Sequence, residues 1–404
     1  GRTTTVTGTT TITSDRLTAG AGVTHTLGTL SIGAQTLTVQ AGSNVNSGTA
    51  GLTFGATAVT GGATLSPGTS ALLTVGAVTG TGQALTVAGA GDTTVSGGLN
   101  TSTGGTLVKT GTGTLTLTSA GDYTGATTVN AGTVMATADA AFGTSAGGVS
   151  VASGATVGFS GGFPYSTPET IVLTGTGAAG RAGALDNVSG ANSFAGALTL
   201  VGGGNSTIGT TAGNLTLSGT LTGASDFTFA PAAGTTITVS NVLSGAGTNV
   251  LKEGLGTLVL SGANTYDGGT TVNAGTVRAT TNAGALGAGP LTLAGGTLEL
   301  ANDSGLSFGR NTTVLGPTTI LSDRLADGAG VTHTLGTLAI GAQTLTVSAG
   351  SHVTSGTAGL TFGVTTLTGG ATLSPGPGAL LTVGAVTGTG QLLTVAGAGD
   401  TTLS

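Results

Sequence analysis

The chain has 404 residues, of which 81 are glycine and 88 threonine, while only 5% are charged and 3% aromatic. A hydrophobic share of 38% excludes disorder driven by low hydrophobicity, and the shortage of charge excludes an ordinary compact domain, which carries about 25% charged residues. Net charge is −6 with six scattered arginines, two lysines and no cysteine, so a nucleic-acid partner, a polybasic membrane patch, disulfides and thiolate metal sites are excluded.

Residues 1–96 return without a gap as residues 309–404, and 79 of the 96 aligned pairs are identical. A gapless copy keeps strands and turns in phase, as repeat architectures do. The two are read as copies of one 308-residue tandem repeat, and the sequence as a window from a longer protein. Within the first copy, Gln35-Thr-Leu-Thr-Val39 alternates polar and apolar, which in a strand puts Leu and Val on one face and Thr on the other. Leu72 and Val75 are expected in the core. Asp15-Arg16, returned as Asp323-Arg324, reads as a surface pair at a corner. His25 and His333 share one repeat position, whereas His352 replaces Asn44, and no histidine pair has metal-ligand spacing.

Residues 107–134 and 250–277 form a second, shorter repeat. Each carries a lysine (Lys109, Lys252), a Gly-x-Gly-Thr-Leu strand, a tyrosine before a turn glycine (Tyr123, Tyr266) and a Thr-Thr-Val-Asn-Ala-Gly strand end (Asn130, Asn273). Residues 198–240 are a degenerate version at most. Leu115/Leu117 and Leu258/Leu260 are expected to face inward, with threonines such as Thr114, Thr116 and Thr118 outside. This pattern resembles the autotransporter-associated β-strand repeat, also called the passenger-associated transport repeat. The resemblance implies a β-helical bacterial surface stalk, exported across the outer membrane for adhesion or display, without catalytic residues.

The residues themselves have a plainer reading. Lys109 and Lys252 read as solvated corner charges, bonded at most to a turn carbonyl, rather than ligand-contacting cations. Tyr123 and Tyr266 read as rings packed over neighbouring glycines with wet hydroxyls, rather than sugar platforms. Asn130 and Asn273 either stack as a ladder or close a turn.

Glycine and threonine are poor helix formers, and Gly-rich punctuators separate the period-2 runs. Small apolar residues suit a narrow core. The expected fold is all-β: one continuous, elongated, right-handed parallel β-solenoid over residues 1–404, with no significant helix and about 20–25 residues per turn.

Catalytic chemistry finds little support. Gly175-Thr-Gly177-Ala-Ala-Gly180 matches a dinucleotide fingerprint formally, but the residues after it are not an amphipathic helix. The densest acidic stretch, Glu299 to Asp303, has no basic residue near it in sequence before Arg310. No catalytic residue, metal site or cofactor is assigned. The expected function is a structural extracellular fibre or stalk at the bacterial cell surface, for adhesion, matrix or filament formation. The alternative is a glycan- or ice-binding solenoid adhesin, and the third reading a β-helix polysaccharide-active enzyme. Expected partners are further copies, end to end or in a longer tandem chain, and host or matrix surfaces or glycans. End-to-end addition is expected because residues 1–13 carry one charge, Arg2, and residues 392–404 only Asp400. No run of 18 apolar residues suggests a transmembrane helix.

Overall fold

The computed structural model describes residues 1–202 and 204–404. The glycine punctuator at residues 202–204 therefore includes Gly203, which lies outside the described residues. The fold is all-β, with parallel strands stacked as a β-solenoid of about 18 turns and no helix among the described residues. It divides into two compact units, Gly1–Thr199 with Thr211–Gly213, and Leu200–Thr210 with Asn214–Ser404.

In the first unit, one face stacks the strands Thr36–Ala41, Ala63–Pro67, Ala84–Val87, Thr106–Lys109, Thr127–Val129, Val149–Val151 and Ile171–Leu173, each parallel to the next. The register is strict enough to trace a single inward column: Leu37, Leu65, Val87, Lys109, Val129, Val151, Leu173. All seven are buried, and one of them is a lysine. The alternation of the strands dictates this. Leu107 faces inward, so Lys109, two residues on, does too.

The second unit repeats the arrangement. Its column of Ile208, Phe229, Lys252, Val272, Leu293, Val314 and Ile340 is buried throughout, again with one lysine among apolar neighbours. On another face of this unit, Thr236, Thr257, Thr276, Thr297, Thr319 and Thr346 line up in one half-buried outward column.

Leu115, Leu117, Leu258, Leu260 and Val75 lie in the core as the alternation requires. Leu72 does not. It is three residues from Val75, and residues an odd number apart face opposite sides of a strand, so Leu73 is buried in its place.

Most steps between stacked partners are close to 22 residues, as between Leu85 and Leu107 or Thr216 and Thr238. The first turns of each long copy are larger. Thr10 pairs with Leu37 and Thr36 with Thr64, as Thr318 does with Leu345 and Thr344 with Thr372. The added residues form a side ladder, Gly20–Ala21 on Val45–Ser47 and Gly328–Ala329 on Val353–Ser355.

Candidate functional site

The two lysines, expected to be solvated, are buried: Lys109 is 1% and Lys252 0% exposed. Each ammonium turns to the corner carbonyls instead. Lys252 Nζ donates to Glu253 O at 2.7 Å, Gly254 O at 2.8 Å and, in the next turn, Ala274 O at 3.0 Å. Lys109 Nζ donates to Gly111 O and lies 3.5 Å from Ala131 O. Burial pulls both lysines down to about 8, opposed by the carboxylates of Asp92 and Glu253 respectively. The corner is closed by Gly132 (φ +68°) and Gly275 (φ +63°), in the left-handed region that favours glycine. A Cβ on either would lie 2.9 or 2.6 Å from the lysine Nζ. The lysine and the glycine of the Asn-Ala-Gly end are therefore parts of one clamp between successive turns.

The tyrosines are also fully buried, with no wet hydroxyl. Tyr123 Oη and Thr127 Oγ1 are 2.6 Å apart, as are Tyr266 Oη and Thr270 Oγ1. The expected glycine neighbours are present: a Cβ on Gly143 or Gly287 would meet these rings at 3.1 and 2.4 Å. Asn130 is exposed, while Asn273 Nδ2 donates to Glu253 Oε1 at 2.5 Å. The backbone N–H groups of both continue the ladder between coils, donating to Lys109 O and Lys252 O 21 residues earlier.

The fingerprint-like glycines Gly175, Gly177 and Gly180 all have positive φ in a corner after the strand Ile171–Leu173, with no helix behind them. They offer no helix N-terminus to a pyrophosphate.

Charge does gather where the coils before residue 309 stack on the swollen corner of the second copy. Arg278 stacks directly on Glu299 in the ladder and pairs with it at 2.6 Å. Glu299 hydrogen-bonds Asp323, and Asp323 Oδ2 is 3.2 Å from His352 Nδ1. Arg324 reaches Asp303 at 3.5 Å rather than its neighbour Asp323. Glu299 and Asp303 thus do have basic partners, one turn away along the stack. Neither expected side-chain pair forms: Arg324 turns to Asp303 one turn earlier, and Arg16 to carbonyls of its own turn. Asp15 Oδ1 accepts from Arg16 N and Asn44 N, while the Arg16 guanidinium donates to Thr18 O and Ala21 O. Burial raises the Glu299 carboxyl, with Arg278 opposing. Burial would raise Asp323 too, but backbone N–H groups and His352 hold it below the usual carboxylate range. The cluster is a network of satisfied charges, and no group of three metal-ligating side chains is present among the described residues.

Two buried acids, Glu169 and Asp186, were not singled out by the sequence. Glu169 is 0% exposed; its Oε1 accepts from Tyr165 Oη at 3.0 Å and its Oε2 has no partner among the described residues. Burial raises it to about 8. It sits in the widest aromatic packing of the first unit, where Tyr165 stacks on Phe142 at 5.3 Å and meets Phe159 and Phe194 at 5.6 and 5.7 Å.

The threonine column of the second unit is not doubled. The positions two residues on are Thr238, Val259, Arg278, Glu299, Leu321 and Ser348, so this face lacks the paired threonine plane that ice binding requires.

Corners clamped from inside by the marked residues of a short repeat make this a parallel β-solenoid with internally bonded turns. The passenger-associated-transport-repeat family matches residues 107–136 and 250–279, the two clamped segments. Over 114 residues, 26% of its length, the chain is 37% identical to the adhesin BmaC autotransporter of Brucella suis biovar 1 (strain 1330). That stretch is 3% of the adhesin, so the chain spans only a small part of that relative. No solved structure matches the chain. The chain thus carries two passenger-associated transport repeats, and this likeness to an autotransporter passenger supports an extracellular place at the cell surface. No helix among the described residues is long and apolar enough to cross a membrane.

Proposed function

We propose that the chain is a non-enzymatic adhesin segment, a structural stalk that holds a binding surface away from the cell and contributes to fibre or matrix formation. The observation that carries this reading is the inward orientation of the repeat's marked residues. Lys109 and Lys252 are spent on corner carbonyls and Tyr123 and Tyr266 on buried threonine hydroxyls, so they present nothing to a substrate. The charged corner of the second copy is likewise internally paired, whereas proton-transfer chemistry needs an acid and base facing a cleft. Likeness to an adhesin supports attachment to host or matrix surfaces as the role.

The test is a surface-binding assay with the purified chain on beads, against epithelial cells and immobilised matrix glycoproteins, with reducing-sugar release from a polysaccharide panel measured in parallel. Saturable attachment without sugar release is expected. Sugar release lost on substitution of Glu299 or Asp323 would overturn the reading in favour of an enzyme. Electron micrographs of native material test the fibre: continuous filaments are expected, and discrete particles would contradict it.

A further inference from the structure

In the middle of the first unit, the loop of residues 174–184 after the strand Ile171–Leu173 reaches back over the strand Gly132–Ala136. Thr133 faces outward on that strand, in register with Thr114, yet is only 4% exposed. Thr276, its counterpart in the second short repeat, is half-buried. The loop is fixed by its own bonds. Ala178 N donates to Thr156 Oγ1 at 2.8 Å, Thr156 Oγ1 donates to Gly183 O at 2.9 Å, and Arg181 N donates to Ala178 O at 3.1 Å. Its two stems meet at Gly177, where φ is +96° and a Cβ would lie 2.2 Å from Gly183 O.

Between loop and strand runs a groove of about 300 Å³, with Thr112, Thr114, Ala131, Thr133, Ala178 and Arg181 in its lining. Arg181 Nε donates to Thr133 Oγ1 at 3.2 Å, which holds the guanidinium in place. Its Nη1 and Nη2 have no partner among the described residues, and neither do the hydroxyls of Thr112 and Thr114. The nearby acids are engaged elsewhere. Asp186 accepts from Thr211 N and Thr211 Oγ1 at 3.0 and 3.1 Å, and Asp92 accepts from Thr114 N at 2.7 Å. Asp92 also offsets the ammonium of Lys109, which lies under Gly132. Arg181 is therefore a held cation whose outer edge is unspent.

We infer that this groove binds an acidic sugar, with the sugar's carboxylate on the free edge of Arg181. Two N–H bonds in one plane, as Nη1 and Nη2 offer, match a planar carboxylate. The hydroxyls of Thr112 and Thr114 donate to and accept from ring hydroxyls, and Ala131 and Ala178 give the C–H face a small apolar wall. The volume stands at the low end of the ~300–1,000 Å³ of ligand sites and suits one sugar unit. Because loop and arginine are held before binding, little ordering cost remains. In the second short repeat Leu255 takes the place of Thr112, and Thr276 bonds no arginine among the described residues, so that repeat has no equivalent site. The inference stands independently of the adhesin reading, because it concerns a soluble sugar and the purified chain.

The test is titration of the full chain, labelled with 15N-arginine, with methyl β-D-glucuronide, its neutral counterpart methyl β-D-glucoside, and glucose 6-sulfate. The Nε–Hε signals of the six arginines are assigned through single Arg→Lys variants. Saturable movement of the Arg181 signal by the glucuronide is expected, with affinity for the glucoside about tenfold weaker or less, as loss of charge-assisted bonds implies. Arg181→Lys keeps the charge and loses the fork, and Thr112→Val removes one exposed hydroxyl. Each should weaken glucuronide binding, read by saturation transfer to the sugar. The comparison of sugars is made on the unaltered chain, so folding of a variant is not at stake. No movement of Arg181 at tens of millimolar glucuronide, equal movement by the glucoside, or a stronger response to the sulfate would overturn the inference.

Discussion

Lys252 joins one turn of the coil to the next: its Nζ donates to Ala274 O at 3.0 Å, 22 residues along the chain. A lysine in an apolar column is costly unless its ammonium is fully bonded, and here the carbonyls of two turns do the bonding. Lys252→Met keeps the stem's volume and leaves those carbonyls short of a donor. It should destabilise the fold by about 1–3 kcal/mol, read as a lower urea midpoint with unchanged m-value. An unchanged midpoint would show that the carbonyls are satisfied without the ammonium.

Gly275→Ala should cost more than an ordinary Gly→Ala change, because φ is +63° and the new Cβ would lie 2.6 Å from Lys252 Nζ. About 1–3 kcal/mol is expected, less in the Lys252→Met background, where that contact is relieved. Strict additivity in a double-mutant cycle would separate the two residues energetically and contradict the clamp.

Glu169 sets a pH dependence whose sign is fixed by its burial. Its folded value of about 8 lies above the ordinary 4.5, so the folded state keeps a proton that the unfolded chain has already released. Its contribution is fully present below pH 4.5, and stability falls as pH rises from there to 8. The slope approaches about 1.4 kcal/mol per pH unit within that window. Glu169→Gln, which keeps the acceptor for Tyr165 Oη, should flatten the profile. Urea midpoints between pH 5 and 8 decide it; a slope that survives the substitution must come from another group.

The hydroxyl of Tyr266 is the fourth target. Tyr266→Phe leaves Thr270 Oγ1 one partner, Leu286 O, and should cost about 1 kcal/mol. A neutral substitution, read from the thermal midpoint, would return Tyr266 to a pure packing role.

Fold class was legible because period-2 alternation and glycine punctuation leave few alternatives to stacked strands, and Leu115, Leu117, Leu258 and Leu260 fell where that pattern put them. The same alternation also placed Lys109 and Lys252 inside, through Leu107 and Val250 two residues earlier. The general rule that lone charges are solvated outweighed it, because the bonding carbonyls belong partly to a turn 22 residues away. The Arg278–Glu299 pair was hidden for a related reason. It depends on register between turns, and the steps between stacked partners are unequal, as Thr257–Thr276 and Thr344–Thr372 show. Glu169 follows a proline and carries no periodic signal; only the packing around Tyr165 reveals it.

The central claim is that the repeat's lysines are internal clamps rather than surface charges, and the chain contains only two lysines to examine. Amine labelling with an N-hydroxysuccinimide ester, followed by peptide mass spectrometry, reads each one separately. In the native protein Lys109 and Lys252 should stay unmodified while the terminal amine reacts, and both should label fully in denaturing urea. Rapid labelling of either lysine under native conditions would contradict the account.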